Sequence, residues 1–173
     1  AQVLSFTQGQ PVCRRHASQR QLLLVLKGQV RLVVFSDQLP HRVGSLERLG
    51  PGQLLGWCEL VGVEQQESAL ASEPTTVLAI PHSDLASLLQ ENESVRQRVL
   101  RSLPSSSLFY VLEAWITSCP LDLGGQLPRI CQQLSSEAAL HPVACRRFEQ
   151  EQALPSDRRW FVINGNSPLA LGT

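Results

Sequence analysis

Gln21-Leu22-Leu23-Leu24-Val25-Leu26-Lys27-Gly28-Gln29-Val30-Arg31-Leu32-Val33-Val34-Phe35 sets two apolar runs on either side of Lys27-Gly28. The pattern predicts two strands, Gln21 to Leu26 and Val30 to Phe35, joined by a tight glycine turn. Working outward, Ser36 to His41 is polar and holds a proline, as an exposed hairpin tip would. Arg42 to Leu49 alternates Val43, Leu46 and Leu49 with polar residues and stops at Gly50-Pro51-Gly52. Ser68 to Ala71 and Thr76 to Ile80 predict two further strands around Glu73-Pro74. Short strands at this spacing imply an antiparallel roll, barrel or sandwich.

After Pro81 the period lengthens. Ser83 is placed to cap a helix in which Leu85, Leu88 and Leu89 share a face. Val95, Val99, Leu100 and Leu103 continue helical spacing up to Pro104. Ser105-Ser106-Ser107 precedes an apolar helix expected over Leu108 to Thr117, and another helix is expected from Arg129 to Leu140. Trp160 to Ile163 is strand-like and leads into the turn Asn164-Gly165-Asn166. The expected class is therefore α+β: an antiparallel β-roll (a double-stranded β-helix or jelly roll) of about eight short strands, followed by several α-helices. The expected divisions are 1–103 for the roll and its following helices, 104–159 for a helical linker, and 160–173 for the truncated start of a further element.

The 173 residues, 43% of them hydrophobic, suffice for one core plus an appendage. Fifteen basic residues balance fifteen acidic ones, which excludes a nucleic-acid binder working by broad phosphate neutralisation. No apolar run is long enough for a membrane-spanning helix. Cys13, Cys58, Cys119, Cys131 and Cys145 are odd in number and widely spaced, so reduced, mostly buried thiols in a cytoplasmic protein are expected. His16, His41, His82 and His141 lack metal-ligand spacing, and no nucleophile elbow, phosphate loop or carboxylate pair is present. Neither a metal nor a catalytic residue is assigned.

Three short matches combine to resemble a known family. Phe6-Thr7-Gln8-Gly9-Gln10-Pro11-Val12, the Leu22 to Val33 segment around Gly28, and Gly50-Pro51-Gly52-Gln53-Leu54-Leu55-Gly56 are similar to successive motifs of the cyclic nucleotide-binding domain. Thr76 to Ile80 with Pro81 is similar to its last strand. The likeness covers about residues 4 to 103. It implies a cassette in which amides after a glycine face the cyclic phosphate, a Glu after that glycine holds the ribose, and a later Arg pairs with the phosphate.

On that pattern the ligand-site positions are Gly56, Trp57, Glu59, Glu67, Ser68 and Ala69. The glycine and the Ser68-Ala69 pair match. Trp57 stands where the family has Glu, and Glu67 stands where it has Arg. Like charges 4 Å apart repel by about 4 kcal/mol at an effective dielectric near 20. The lost charge-assisted bond adds about 1.5–3 kcal/mol. Together these remove three or more powers of ten in affinity, so no cAMP or cGMP cofactor is expected. Glu59 is a candidate substitute for the ribose-binding Glu. Trp57 either stacks on a purine or fills the sugar's place, with filling favoured. Glu67 either meets a cationic group or is a solvated loop carboxylate, the second favoured. Arg14, Arg15 and Arg20 are read as surface.

The function implied is a non-catalytic sensory or docking module of a larger parent protein, with other domains as partners. The segment Trp160-Phe161-Val162-Ile163 leading to Leu169-Ala170-Leu171-Gly172 resembles the join before the next domain in bacterial peptide-export ABC transporters, which would make the parent membrane-embedded. A catabolite-activator-type transcription regulator and a sensor of another small ligand are the alternatives. The apolar run Leu108 to Ile116 packs either on the roll or on a second copy in a homodimer.

Overall fold

The computed structural model describes residues 1–36, 39, 41–61, 67–100, 105–117, 124–135, 161–164 and 167–170. Eight strands form an antiparallel roll: β1 (Gln2–Phe6), β2 (Pro11–Cys13), β3 (Gln21–Lys27), β4 (Val30–Phe35), β5 (Val43–Leu49), β6 (Leu54–Leu55), β7 (Ser68–Ala71) and β8 (Thr75–Pro81). One sheet has the order β1-β8-β3-β6 and the other β2-β7-β4-β5. Val25, Val30, Leu32, Val34, Leu46, Leu55, Ala69 and Val77 fill the space between them, each at most 2% exposed. This is the α+β roll expected, with the strand count expected.

The hairpin expected about residues 36–41 forms, with β4 paired to β5, whereas the one expected about Lys27-Gly28 does not. β3 pairs with β8 and β6, whereas β4 pairs with β5 and β7, so Lys27-Gly28 turns a corner between sheets. The chain from β7 to β8 makes the same change through Ser72 to Pro74, and so does the chain from β1 to β2. These corners are stitched together: Gly9 N donates to Ala71 O at 2.8 Å, and Ser72 N to Gln29 O at 2.8 Å. Gly28 has φ +83°, and a Cβ there would lie 2.5 Å from the Pro74 carbonyl oxygen. Two corners meet so closely that only glycine fits.

Two other expectations change for related reasons. Within the segment expected as an exposed tip, Leu39 turns inward: it is 7% exposed and joins the core, while Leu39 N donates to Ser36 O and Arg42 N to Leu39 O. A single leucine in a polar stretch is drawn in by the apolar surface it can cover. Arg15 is not simply surface either, since its guanidinium carbon lies 3.5 Å from the centre of the Tyr110 ring, a cation–π geometry.

Helices α1 (His82–Glu91), α2 (Glu93–Leu100), α3 (Ser105–Thr117) and α4 (Leu127–Leu134) follow the roll. Helix α1 starts at His82 with no side-chain cap, and Ser83, the expected cap, instead bonds Asp84 at 3.3 Å. Helix α3 begins three residues earlier than expected, its serines buried; Ser105 Oγ donates to Glu47 Oε2 at 3.2 Å. Leu108, Phe109, Tyr110 and Ile116 lie in the main core, so the apolar face of α3 is packed on the roll. Phe109 and Tyr110 meet edge-to-face at 5.4 Å, and Tyr110 Oη accepts Phe35 N–H at 3.4 Å.

Helix α4 starts at Leu127, two residues before the expected Arg129, with Pro128 in its first turn, where a missing N–H costs nothing; the expected continuation to Leu140 lies outside the described residues. Strands β9 (Phe161–Asn164) and β10 (Ser167–Ala170) form the late hairpin. Cys13 and Cys131 are buried and not disulfide-bonded, and burial pushes the Cys131 thiol up to about 12. Cys119, Cys145 and the Cys58 side chain lie outside the described residues. No helix among the described residues is long and apolar enough to cross a membrane.

Candidate functional site

Gly56 is the node of the site. It follows β6 with φ +78°, a conformation that side chains resist. A Cβ there would stand 2.6 Å from the Gln21 carbonyl oxygen at the start of β3. Backbone jammed against backbone holds the turn in place and aims the Gly56 amide inward.

That amide has a partner from within the chain. Gly56 N–H donates to Glu67 Oε2 at 2.6 Å, as short as a charge-assisted bond. Glu67 is 1% exposed, which overturns its reading as a solvated loop carboxylate. Carboxyl groups leave water only where hydrogen bonds compensate, and the Gly56 amide supplies one here. The Glu67 carbonyl accepts Cys13 Sγ–H at 3.7 Å. The next residue, Ser68, opens β7 and accepts Arg15 N–H on its Oγ at 3.0 Å.

The remaining candidates divide into two groups. Trp57 is 7% exposed and packs with Leu22, Leu60, Ile80 and Leu85, so its ring fills space between the roll and α1. Glu59 lies on the 3₁₀ turn Cys58–Val61, and its Oε2 accepts the Arg20 amide at 3.1 Å. It thereby braces the segment entering β3 and does not join Glu67 on Gly56. Ala69 is fully buried in the core and contributes only its backbone to the sheet. Gly56, Glu67 and Trp57 are thus brought together, with Ser68 beside them, while Glu59 and Ala69 serve neighbouring structure.

One participant was not singled out from the sequence. His82 Nε2, in the tautomer protonated there, donates to the Gly56 carbonyl at 3.1 Å. His82 N also donates to Arg20 O at 2.9 Å. The first residue of α1 therefore grips the cassette glycine from the side opposite Glu67. Twenty-six residues separate His82 from Gly56, and no local spacing could have signalled the pair. Among the described residues no three His, Cys, Asp or Glu side chains gather in a way that could hold a metal.

The model of the cyclic nucleotide-binding domain family matches residues 3–92. This chain belongs to that family. Among solved structures, the cAMP-bound form of the EAL enzyme Bd1971 is similar with a TM-score of 0.51 and 17% identity, over 67% of this chain and 33% of that one. A cyclic nucleotide-binding-like protein from Brucella abortus has a TM-score of 0.44 at 22% identity, covering 51% of this chain and 75% of its own. For a cyclic nucleotide-binding protein from Geobacter metallireducens the values are 0.45 and 23%, with 57% and 69% covered. At these identities the likeness concerns the fold alone. No curated protein matches the chain.

Proposed function

We propose that the chain is a non-catalytic regulatory module of the cyclic nucleotide-binding type whose cassette takes up neither cAMP nor cGMP, and which governs or docks a larger protein. The observation that carries this reading is the Glu67 carboxyl, buried and bonded to the Gly56 amide at 2.6 Å. A cyclic phosphate arriving there must displace an internal acceptor and approach a group of its own sign. At 4 Å and an effective dielectric near 20 that repulsion alone is about 4 kcal/mol, close to three powers of ten in affinity. Trp57, packed on Leu22 and Leu85, adds a steric obstacle where the sugar would sit.

The output side of the module is α1. His82 holds the Gly56 carbonyl, and Leu85 holds Trp57, so any rearrangement of the cassette moves this helix. The elements beyond the roll then carry that movement to other domains in the cytoplasm, a bacterial secretion ABC transporter being the parent favoured by the sequence of residues 160–172. Titration calorimetry of the chain with cAMP and with cGMP tests the reading. No saturable heat is expected up to millimolar nucleotide, and a micromolar dissociation constant for either would overturn it.

A further inference from the structure

Resting on that reading, we infer that Glu67 is the cassette's resident anion: its carboxylate occupies the acceptor position at the Gly56 amide and keeps the turn and α1 in one arrangement. Cutting the side chain back leaves a site for a small free carboxylate. The argument begins with the amide. Gly56 is buried, and its turn lies so close to β3 that a Cβ there would stand 2.6 Å from the Gln21 carbonyl oxygen. An acceptor must therefore come to Gly56, and Glu67 supplies it at 2.6 Å.

The acceptor is held from behind as firmly as the donor. Residue 67 is tied through its carbonyl to Cys13 and is followed by Ser68, which is tied to the Arg15 amide. The carboxylate thus joins β7 to the turn after β6, while His82 joins the same glycine to α1. Trp57, the next residue, repeats the connection through Leu85. Loss of the carboxylate would leave a buried amide without an acceptor, a costly state that any fitting anion relieves.

The chemistry of the vacated space is defined. Glu67→Ala keeps Cβ and removes one methylene and one carboxylate, which are the heavy atoms of acetate. A free carboxylate of that size can restore the bond to Gly56 N–H without disturbing Ser68 or Cys13.

The test uses the whole chain and sodium acetate as the probe, with sodium chloride at equal ionic strength as the reference. Glu67→Ala is expected to melt below the wild type. Acetate should raise its melting temperature saturably, while the wild type responds alike to both salts. The Gly56 amide in Glu67→Ala should exchange with solvent faster than in the wild type and slow again with acetate, the α1 amides following. Should Glu67→Ala fail to fold, Glu67→Gln preserves the volume with a neutral acceptor. Its Gly56 amide is then expected to exchange about tenfold faster than the wild type's. Equal effects of acetate and chloride on folded Glu67→Ala would overturn the inference, as would a wild-type exchange rate at Gly56 in Glu67→Gln. Nucleotide binding by the wild type would instead strike the proposed function, so the two failures are distinguishable.

Discussion

Gly56→Ala and Gly52→Ala add the same methyl group to two turns of nearly the same conformation, φ +78° and φ +86°. Both substitutions place an L side chain in the left-handed region, at about 1–2 kcal/mol. Both also stiffen the unfolded chain, which returns about 0.4–1 kcal/mol. At Gly52 nothing lies within 4 Å of the added carbon, so the net loss there is ~1.6 kcal/mol or less. At Gly56 the new carbon meets the Gln21 oxygen at 2.6 Å, and ordinary contact needs ~3.5 Å. The turn must shift by nearly an ångström, which breaks the short bond to Glu67 and forfeits a further ~1.5–3 kcal/mol.

The expected loss for Gly56→Ala is thus about 1.5–4.6 kcal/mol, a large share of the roughly 5–15 kcal/mol that keeps a domain folded. Urea unfolding of the three proteins, followed by tryptophan fluorescence, measures it. With a slope of about 2 kcal/mol per molar, the Gly56→Ala midpoint should fall by roughly 0.8–2.3 M and the Gly52→Ala midpoint by about 0.8 M or less. Midpoints for the two variants within about 0.3 M of each other would refute the claim that Gly56 is wedged against β3 and bonded to Glu67.

Trp57→Ala should lose about 3–5 kcal/mol in the same assay, because it empties a packed space between the roll and α1; a near-neutral effect would mean the ring is held ready for a ligand. Cys131 should resist iodoacetamide at neutral pH until the chain unfolds. Burial raises its folded pKa from 9.0 to about 12, so the neutral thiol's contribution to stability is complete below pH 9.0 and is lost as pH rises through that window. Melting temperature against pH should accordingly fall less steeply there for Cys131→Ala than for the wild type, and parallel curves would contradict it. Tyr110→Phe should cost about 0.5–1.5 kcal/mol by losing the acceptor for Phe35 N–H, as measured by urea unfolding.

Turn chemistry and periodicity carried much of the architecture into plain view. Gly28, Gly52 and Gly56 all have positive φ, so the glycines that punctuate the apolar runs occur where the backbone needs them. The runs themselves became β3, β4, β5, β7 and β8. Which sheet each strand joins was not legible, because alternation records which face is buried and says nothing of the partner. The change of sheet at Gly28 depends on Pro74 and Thr75, far away in sequence. Leu39 and the serines of α3 misled for a similar reason, since polar composition is a poor guide where a neighbouring apolar surface waits to be covered.

Of the site positions read from the sequence, the structure joins Gly56 to Glu67, while Glu59 bonds the Arg20 amide instead. Glu67 was identified as standing in place of a cation, yet the general tendency of carboxylates to stay in water pointed it outward. Its carboxyl accepts the Gly56 amide, and Gly56 packs closely on a third segment at Gln21. No property of residues 56 and 67 taken separately encodes that arrangement. Trp57, for which filling was favoured over stacking on a purine, is buried in a cluster with Leu22, as a large apolar ring tends to be. His82 became visible only when α1 was folded back onto the cassette.

A proton–nitrogen correlation spectrum of the chain titrated with cAMP observes the Gly56 amide itself. If Glu67 already satisfies that amide, its resonance keeps its position and its slow solvent exchange up to millimolar nucleotide. A saturable movement of the Gly56 resonance at micromolar cAMP would mean that an outside phosphate takes the carboxylate's place, and would contradict the account.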